Sequence, residues 1–237
     1  NTWLDSWFEN SAMPRQHGLG SNGYRSRVNG DLVSGPETLS EEELGSNRSD
    51  FAGEFFSHPM EGEFWKERSG NLSKIEVPFF SAGNWGGHGL HLRGNVEGFM
   101  RASSKEKWLE IHGLEHWTHF YTDYGVNLQK KFFGHFLKGE DTGWKDQPPV
   151  QLQVRHVDET FVERAENEWP LARTQWTKFY LHPEDHSLRP EPSSVAENVT
   201  YEALGDGVTF LTAPFEEETE FTGPSAAKLF VSSETED

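Results

Sequence analysis

The chain has 237 residues, 34% of them hydrophobic, with nine Trp and 18 Phe, which is enough apolar surface to build a packed core. Its 39 acidic and 21 basic side chains give a formal charge of −18, and no basic stripe offsets phosphate repulsion, so nucleic acid and an anionic membrane surface are excluded as partners. No run of about 18 apolar residues could cross a bilayer, and zero cysteines remove disulfides, thiolate metal sites and a cysteine nucleophile together.

From Asn1 to about Ser73 the sequence is rich in Gly, Ser, Asn and acidic residues around aromatic anchors, with Pro14, Pro36 and Pro59 as punctuation. Ser40 before EEEL predicts a capped helix start, because acidic side chains suit the positive end of a helix dipole. His58-Pro59 predicts a second start, running through Phe64 and Trp65. Short helices in long loops are what a cap over a pocket looks like, and Trp3, Trp7, Phe8, Phe55, Phe56 and Trp65 are its candidate apolar lining. Asn47, Asn71 and Asn198 fit the N-x-S/T pattern, which arises often by chance. A signal peptide would fall outside the sequence as given, and location stays open, with a cytoplasmic one slightly favoured.

Between about Lys74 and Gly139 the periodicity is strongest. IEVPFFSAG is a short apolar run ending in Gly, as expected of a buried parallel strand. NVEGFMRASS carries a helical stripe, and KWLEIHG is a second short strand. From Tyr124 to Leu137, Val126, Leu128, Phe132, Phe133, Phe136 and Leu137 recur at three- and four-residue spacings, so one helix face is apolar. Strand, helix, strand, helix predicts an α/β sheet.

GEDTGWKDQPPV breaks the pattern and predicts a boundary near residue 145. Beyond it VQLQVRHV, WTKFYL, VTYEAL, VTFLTAPF and AKLFVSS read as short strands of an antiparallel β sandwich, too few for a closed one.

No serine sits in G-x-S-x-G, the nearest approach being Ser81 in FFSAG, which lacks the first glycine. The succession HPMEGEFWKERSGNLSKIEVPFFSAGNW, KWLEIHGLEHW, FFGHFLKGEDTGWKDQPPVQLQVR, ENEWP and TGPSAAKLFVSSETED resembles the cocaine esterase (CocE/NonD) and X-Pro dipeptidyl-peptidase group of serine hydrolases over nearly the whole chain. The resemblance implies a helical cap over residues 1–73, the end of an α/β-hydrolase core over 74–145, and a partial jelly roll over 146–237. It also implies that the nucleophile and most of the oxyanion hole lie upstream of Asn1, so that the chain alone is inactive. The substrate would be a small ester or a peptide, and no cofactor or metal is implied.

The resemblance places the general base at His116, in H-G-L-E-H just after the last core strand, where a loop can bring an imidazole to the nucleophile. His112, at the same strand end, is the alternative. The group usually carries Asp in a G-W-x-D turn, and GNWGGHG puts Gly87 there, so Glu97 and Glu115 are the candidate acids. An imidazole without its carboxylate costs about four orders of magnitude in a well-studied protease triad.

Two readings from other classes stand beside this one. His112, Glu115 and His116 spell H-x-x-E-H, a zinc-hydrolase signature with His119 one turn further on, but Gly113 and the β-type run WLEI favour a strand end over the helix that this chemistry needs. A non-catalytic jelly-roll module that binds sugars or proteins would use aromatics such as Trp169, Trp176 and Tyr180, which at strand spacing are more often core.

Overall fold

In the computed structural model, which describes residues 6–87, 89–115, 117–202 and 204–234, the chain divides into two units, Asn1–Gly70 and Asn71–Asp237. The first unit includes the short α-helices Glu41–Ser46 (α1), Phe51–Ser57 (α2) and Glu63–Arg68 (α3). Ser40 caps α1 as expected: its hydroxyl accepts from the Glu43 amide at 3.3 Å, and the Glu43 carboxylate accepts from the Ser40 amide at 2.9 Å. Asp50 caps α2 through the Gly53 amide at 2.9 Å.

The start expected at His58-Pro59 is corrected. α3 begins at Glu63, because the residue before proline is pushed out of the helical region, and His58 lies at φ −131° and ψ 61°. Its ring instead stacks on Phe64 at 3.7 Å, and its carbonyl accepts from Trp65 Nε1 at 2.7 Å. Phe55 meets Trp65 edge-on at 6.0 Å, so these two lining candidates pack on each other. Trp7 and Phe56 are exposed, and Trp3 lies outside the described residues.

In the second unit, Phe79–Asn84 (β1) and Lys107–His112 (β2) pair in parallel, joined through helix Leu92–Arg101 (α4), with Phe80 opposite Trp108, Ala82 opposite Glu110 and Asn84 opposite His112. Strand alternation separates the faces of β2. Leu109 and Ile111 enter a core with Phe99 of α4, Val150, Leu152, Trp169 and Leu171. On the opposite face Trp108 packs with Phe132, Phe136 and Trp144 at centroid distances of 6.5, 5.7 and 5.2 Å. Phe132 and Phe136 come from Asp123–Lys138 (α6), which follows the short helix Thr118–Tyr121 (α5). Thr122 caps α6, and the helix stops at Gly139, whose φ of 70° is a left-handed conformation suited to glycine.

Val150–Arg155 (β3) and Phe161–Glu166 (β4) follow the break near residue 145. The strand assigned to a separate sandwich from residue 146 pairs in parallel with β2, and β4 pairs antiparallel with β3, giving one sheet in the order β1-β2-β3-β4. Burial explains the difference: Val150 and Leu152 are fully enclosed and continue the layer of Leu109 and Ile111. The paired prolines lead into a strand of the same sheet, since the Pro149 carbonyl accepts from the Leu109 amide at 2.9 Å.

A second antiparallel sheet holds Tyr180–His182 (β5) and Ser187–Arg189 (β6), and an isolated bridge joins Ser187 to Leu211. The strands expected at residues 199–204 and 227–233 do not form among the described residues, and that expected at 208–215 is reduced to the bridge. Leu229, Phe230 and Val231 are 59, 92 and 85% exposed, so this short apolar run has no surface to be buried against. The fold is therefore a mixed α/β sheet with a small antiparallel sheet. Arg164 of β4 fastens the C-terminal segment by two hydrogen bonds to the Glu220 carboxylate, at 2.7 and 2.8 Å.

Candidate active site

Glu110 stands between Leu109 and Ile111 in β2 and is 2% exposed; His112, two residues on and therefore on the same face, is 7% exposed. A carboxylate in so dry a place needs partners for both oxygens. Oε2 lies 2.8 Å from His112 Nδ1, and Oε1 accepts from the Tyr124 hydroxyl of α6 at 3.1 Å. With the carboxylate as acceptor, Nδ1 carries the proton and Nε2 the lone pair. Nε2 is buried and has no hydrogen-bond partner among the described residues.

The His119 ring of α5 stands 4.9 Å from that of His112 and 5.4 Å from that of Tyr124. Burial pushes the Tyr124 hydroxyl well above the ordinary tyrosine range, helped by the charge of Glu110, its hydrogen bond, and the charge of Glu163. Burial also draws His119 below the ordinary histidine value, reinforced by His112 and opposed by Glu110 and Glu163. These groups border a cavity of about 460 Å³ whose walls include Phe80, Asn84, Gly87, Leu128 and Phe132. An apolar hollow with a few convergent polar groups is the usual form of a ligand site.

The turn that leaves β2 is pinned from two sides. The Asn84 amide donates to the Gly113 and Leu114 carbonyls at 2.9 and 2.8 Å, and the Gly113 amide donates to Gln153 Oε1 at 3.0 Å. Gly113 is required by close approach, since a Cβ there would fall 2.2 Å from the Phe161 ring. The turn then passes through Leu114 at φ 58°.

His116 lies outside the described residues, while His112 borders the cavity. Glu97 sits on α4, where its carboxylate is 3.8 Å from Arg101, and Glu115 is exposed, its backbone carbonyl accepting from the Thr118 amide. Neither borders the cavity; Gly87 does, with no side chain to offer. The carboxylate that reaches an imidazole is Glu110, which the sequence reading missed. Its signal was there, an acid inside the apolar run WLEI two residues before a histidine.

The H-x-x-E-H reading fails on its helix: β2 ends at His112 and α5 begins at Thr118, so His112 and Glu115 do not share one. Among the described residues no three His, Asp, Glu or Cys side chains are placed to hold a metal ion. Trp169 belongs to the core, and Trp176 is exposed.

A parallel strand pair with a connecting helix, and a buried histidine at the C-terminal end of its second strand, is an arrangement that α/β enzymes use. Residues 142–237 match the profile of the X-Pro dipeptidyl-peptidase C-terminal non-catalytic domain. No curated protein matches the chain. Two crystal structures of a CocE/NonD family hydrolase from Staphylococcus aureus are similar to it, at 35 and 36% identity and TM-scores of 0.58 and 0.57, over 63 and 60% of this chain. The similarity spans 27 and 26% of those chains. The resemblance read from the ordered motifs therefore stands: the chain is similar to the C-terminal part of a CocE/NonD or X-Pro dipeptidyl-peptidase protein.

Proposed function

We propose that the chain is the C-terminal part of a serine hydrolase that cleaves a small ester or a peptide amide by acyl transfer to water. The observation that carries this reading is a buried imidazole, unpartnered at Nε2 among the described residues, beside a cavity at the C-terminal ends of two parallel strands. Open α/β sheets bind their ligands at that edge. The similarity to CocE/NonD hydrolases supports the same reaction class. The matched C-terminal domain is non-catalytic by its description, which supports a reading with the chemistry in residues before it.

In this reading residues 1–73 are a cap, 74–145 the end of a hydrolase core and 146–237 a jelly-roll domain. The unit boundary after Gly70 and the family match over 142–237 support that division. The nucleophilic serine comes from residues outside the sequence, since none here has the G-x-S-x-G surroundings. Its Oγ adds to the carbonyl carbon as the imidazole takes the proton. The proton then goes to the leaving oxygen or nitrogen as that bond breaks, and water repeats the cycle on the acyl-enzyme.

The resemblance assigns the base to His116. The unpartnered Nε2 and the carboxylate at Nδ1 favour a second reading, in which the base is His112. His116→Ala and His112→Ala in the complete protein test both. The base variant loses about four to six orders of magnitude in kcat while still folding. Full activity in both variants would overturn the proposal.

A further inference from the structure

We propose that His182 is a proton-operated clasp in the small antiparallel sheet: as an imidazolium it ties both the β5–β6 turn and the chain leaving β6 to β5, and on losing a proton it lets the chain after β6 go. Two contacts carry this assignment. His182 ends β5 and is buried. Its Nδ1 lies 3.2 Å from Glu184 Oε1 in the turn, and its Nε2 lies 2.9 Å from the Glu191 carbonyl oxygen beyond β6. A carbonyl and an ionised carboxylate can only accept, so both ring nitrogens must donate, and an imidazole that donates twice is positively charged.

The local sequence explains why a side chain has this task. Pro190 and Pro192 flank Glu191 and have no amide proton, so the chain after Arg189 cannot extend β6 as a hydrogen-bond donor. The hairpin itself is anchored elsewhere: the Leu188 amide donates to the Leu211 carbonyl at 2.8 Å, and the Leu211 amide donates to the His186 carbonyl at 3.0 Å. Opening the clasp therefore frees the segment from Pro190 onward and leaves the hairpin in place. The charged side chains that face the ring are Glu184 and Asp185 in the turn and Arg189 on β6, which pairs with Asp185. The bridged segment 208–212 reads VTFLT and brings no charge.

The bonds to Glu191 and Glu184 raise the ring's proton affinity above the ordinary histidine value of 6.5, against burial and the charge of Arg189. A raised folded value means that the clasp is complete below about 6.5 and is lost as pH rises through that higher value. When the ring gives a proton to water, one nitrogen becomes an acceptor that faces an acceptor. The proton that stays is the one facing Glu184, because a hydrogen bond to an ionised group is about twice as strong as a neutral one. The Nε2 lone pair then points at the Glu191 carbonyl, and repulsion replaces the bond. None of these groups takes part in the proposed hydrolysis, so the clasp stands or falls apart from it.

The test uses the complete protein labelled with ¹⁵N-histidine, with hydrogen exchange over residues 187–195 as the second readout. The His182 signal is assigned by its absence in His182→Gln. Below about 6.5 the ring should carry protons on both nitrogens, and its titration should be centred above that value. Across the titration the protection of 187–195, corrected for base-catalysed exchange, should fall about 3- to 10-fold. The exposed substitution Glu184→Gln separates a proton switch from plain packing. Its amide can donate to an unprotonated Nδ1, so the neutral ring keeps its proton at Nε2 and its bond to Glu191. In that variant the titration should move down towards 6.5, and the alkaline loss of protection should disappear. A ring with a single proton below about 6.5, a wild type whose protection stays constant across the titration, or a Glu184→Gln protein that opens as the wild type does would each overturn the proposal.

Discussion

Asn84, the last residue of β1, donates its side-chain amide to the carbonyls of Gly113 and Leu114, so the end of one strand holds the turn that leaves the next. Asn84 is 6% exposed, and water cannot easily replace it. Asn84→Ala should therefore cost about 1–3 kcal/mol, the penalty for stranding buried acceptors. Chemical denaturation of the complete protein checks the loss, and ester turnover should fall with it as the turn loosens. Stability equal to wild type would mean that the turn is held by other contacts.

Gly113 and Phe161 share one space. Gly113→Ala should destabilise by about 1–3 kcal/mol, because the new methyl group would overlap the Phe161 ring. The double variant Gly113→Ala with Phe161→Ala should recover part of that cost, giving a coupling energy in a double-mutant cycle. Additive losses would show that the glycine is needed for another reason.

The link between β4 and the C-terminal segment should appear in the pH dependence of stability. Hydrogen bonds from Arg164 hold the Glu220 carboxyl at about 2, below its ordinary value of 4.5. A depressed folded value means that the unfolded chain binds the proton first. The contribution is complete above about 4.5 and is lost as pH falls towards about 2. Since the Glu220 side chain is 47% exposed, water screens the pair, and about 1 kcal/mol or less is expected. Glu220→Gln should lower stability at neutral pH by that amount and flatten the curve in that acid window.

The strongest periodicities were legible. The apolar stripe of 124–137 and the runs IEVPFFSAG and KWLEIHG became α6, β1 and β2. The partner of β3 was not legible: VQLQVRHV reads equally well as a sandwich strand, and only the burial of Val150 and Leu152 beside Leu109 and Ile111 decides it. The segment at Leu229 to Val231 is a short apolar run like a strand, but it is exposed. In the site, His112 was found by its place at a strand end. Glu110 was not legible because the resembled group carries its acid in the turn after β1, although a carboxylate inside WLEI is costly to bury without a partner such as the one two residues on.

The claim that this chain completes a serine hydrolase is tested most directly by labelling the full-length protein with a fluorophosphonate and mapping the modified peptide. The account predicts a single labelled serine outside these 237 residues, no labelling of this chain expressed alone, and loss of labelling in whichever of His116→Ala and His112→Ala removes the base. A full-length protein that hydrolyses esters without taking the label, or a label on a serine within this chain, would contradict it.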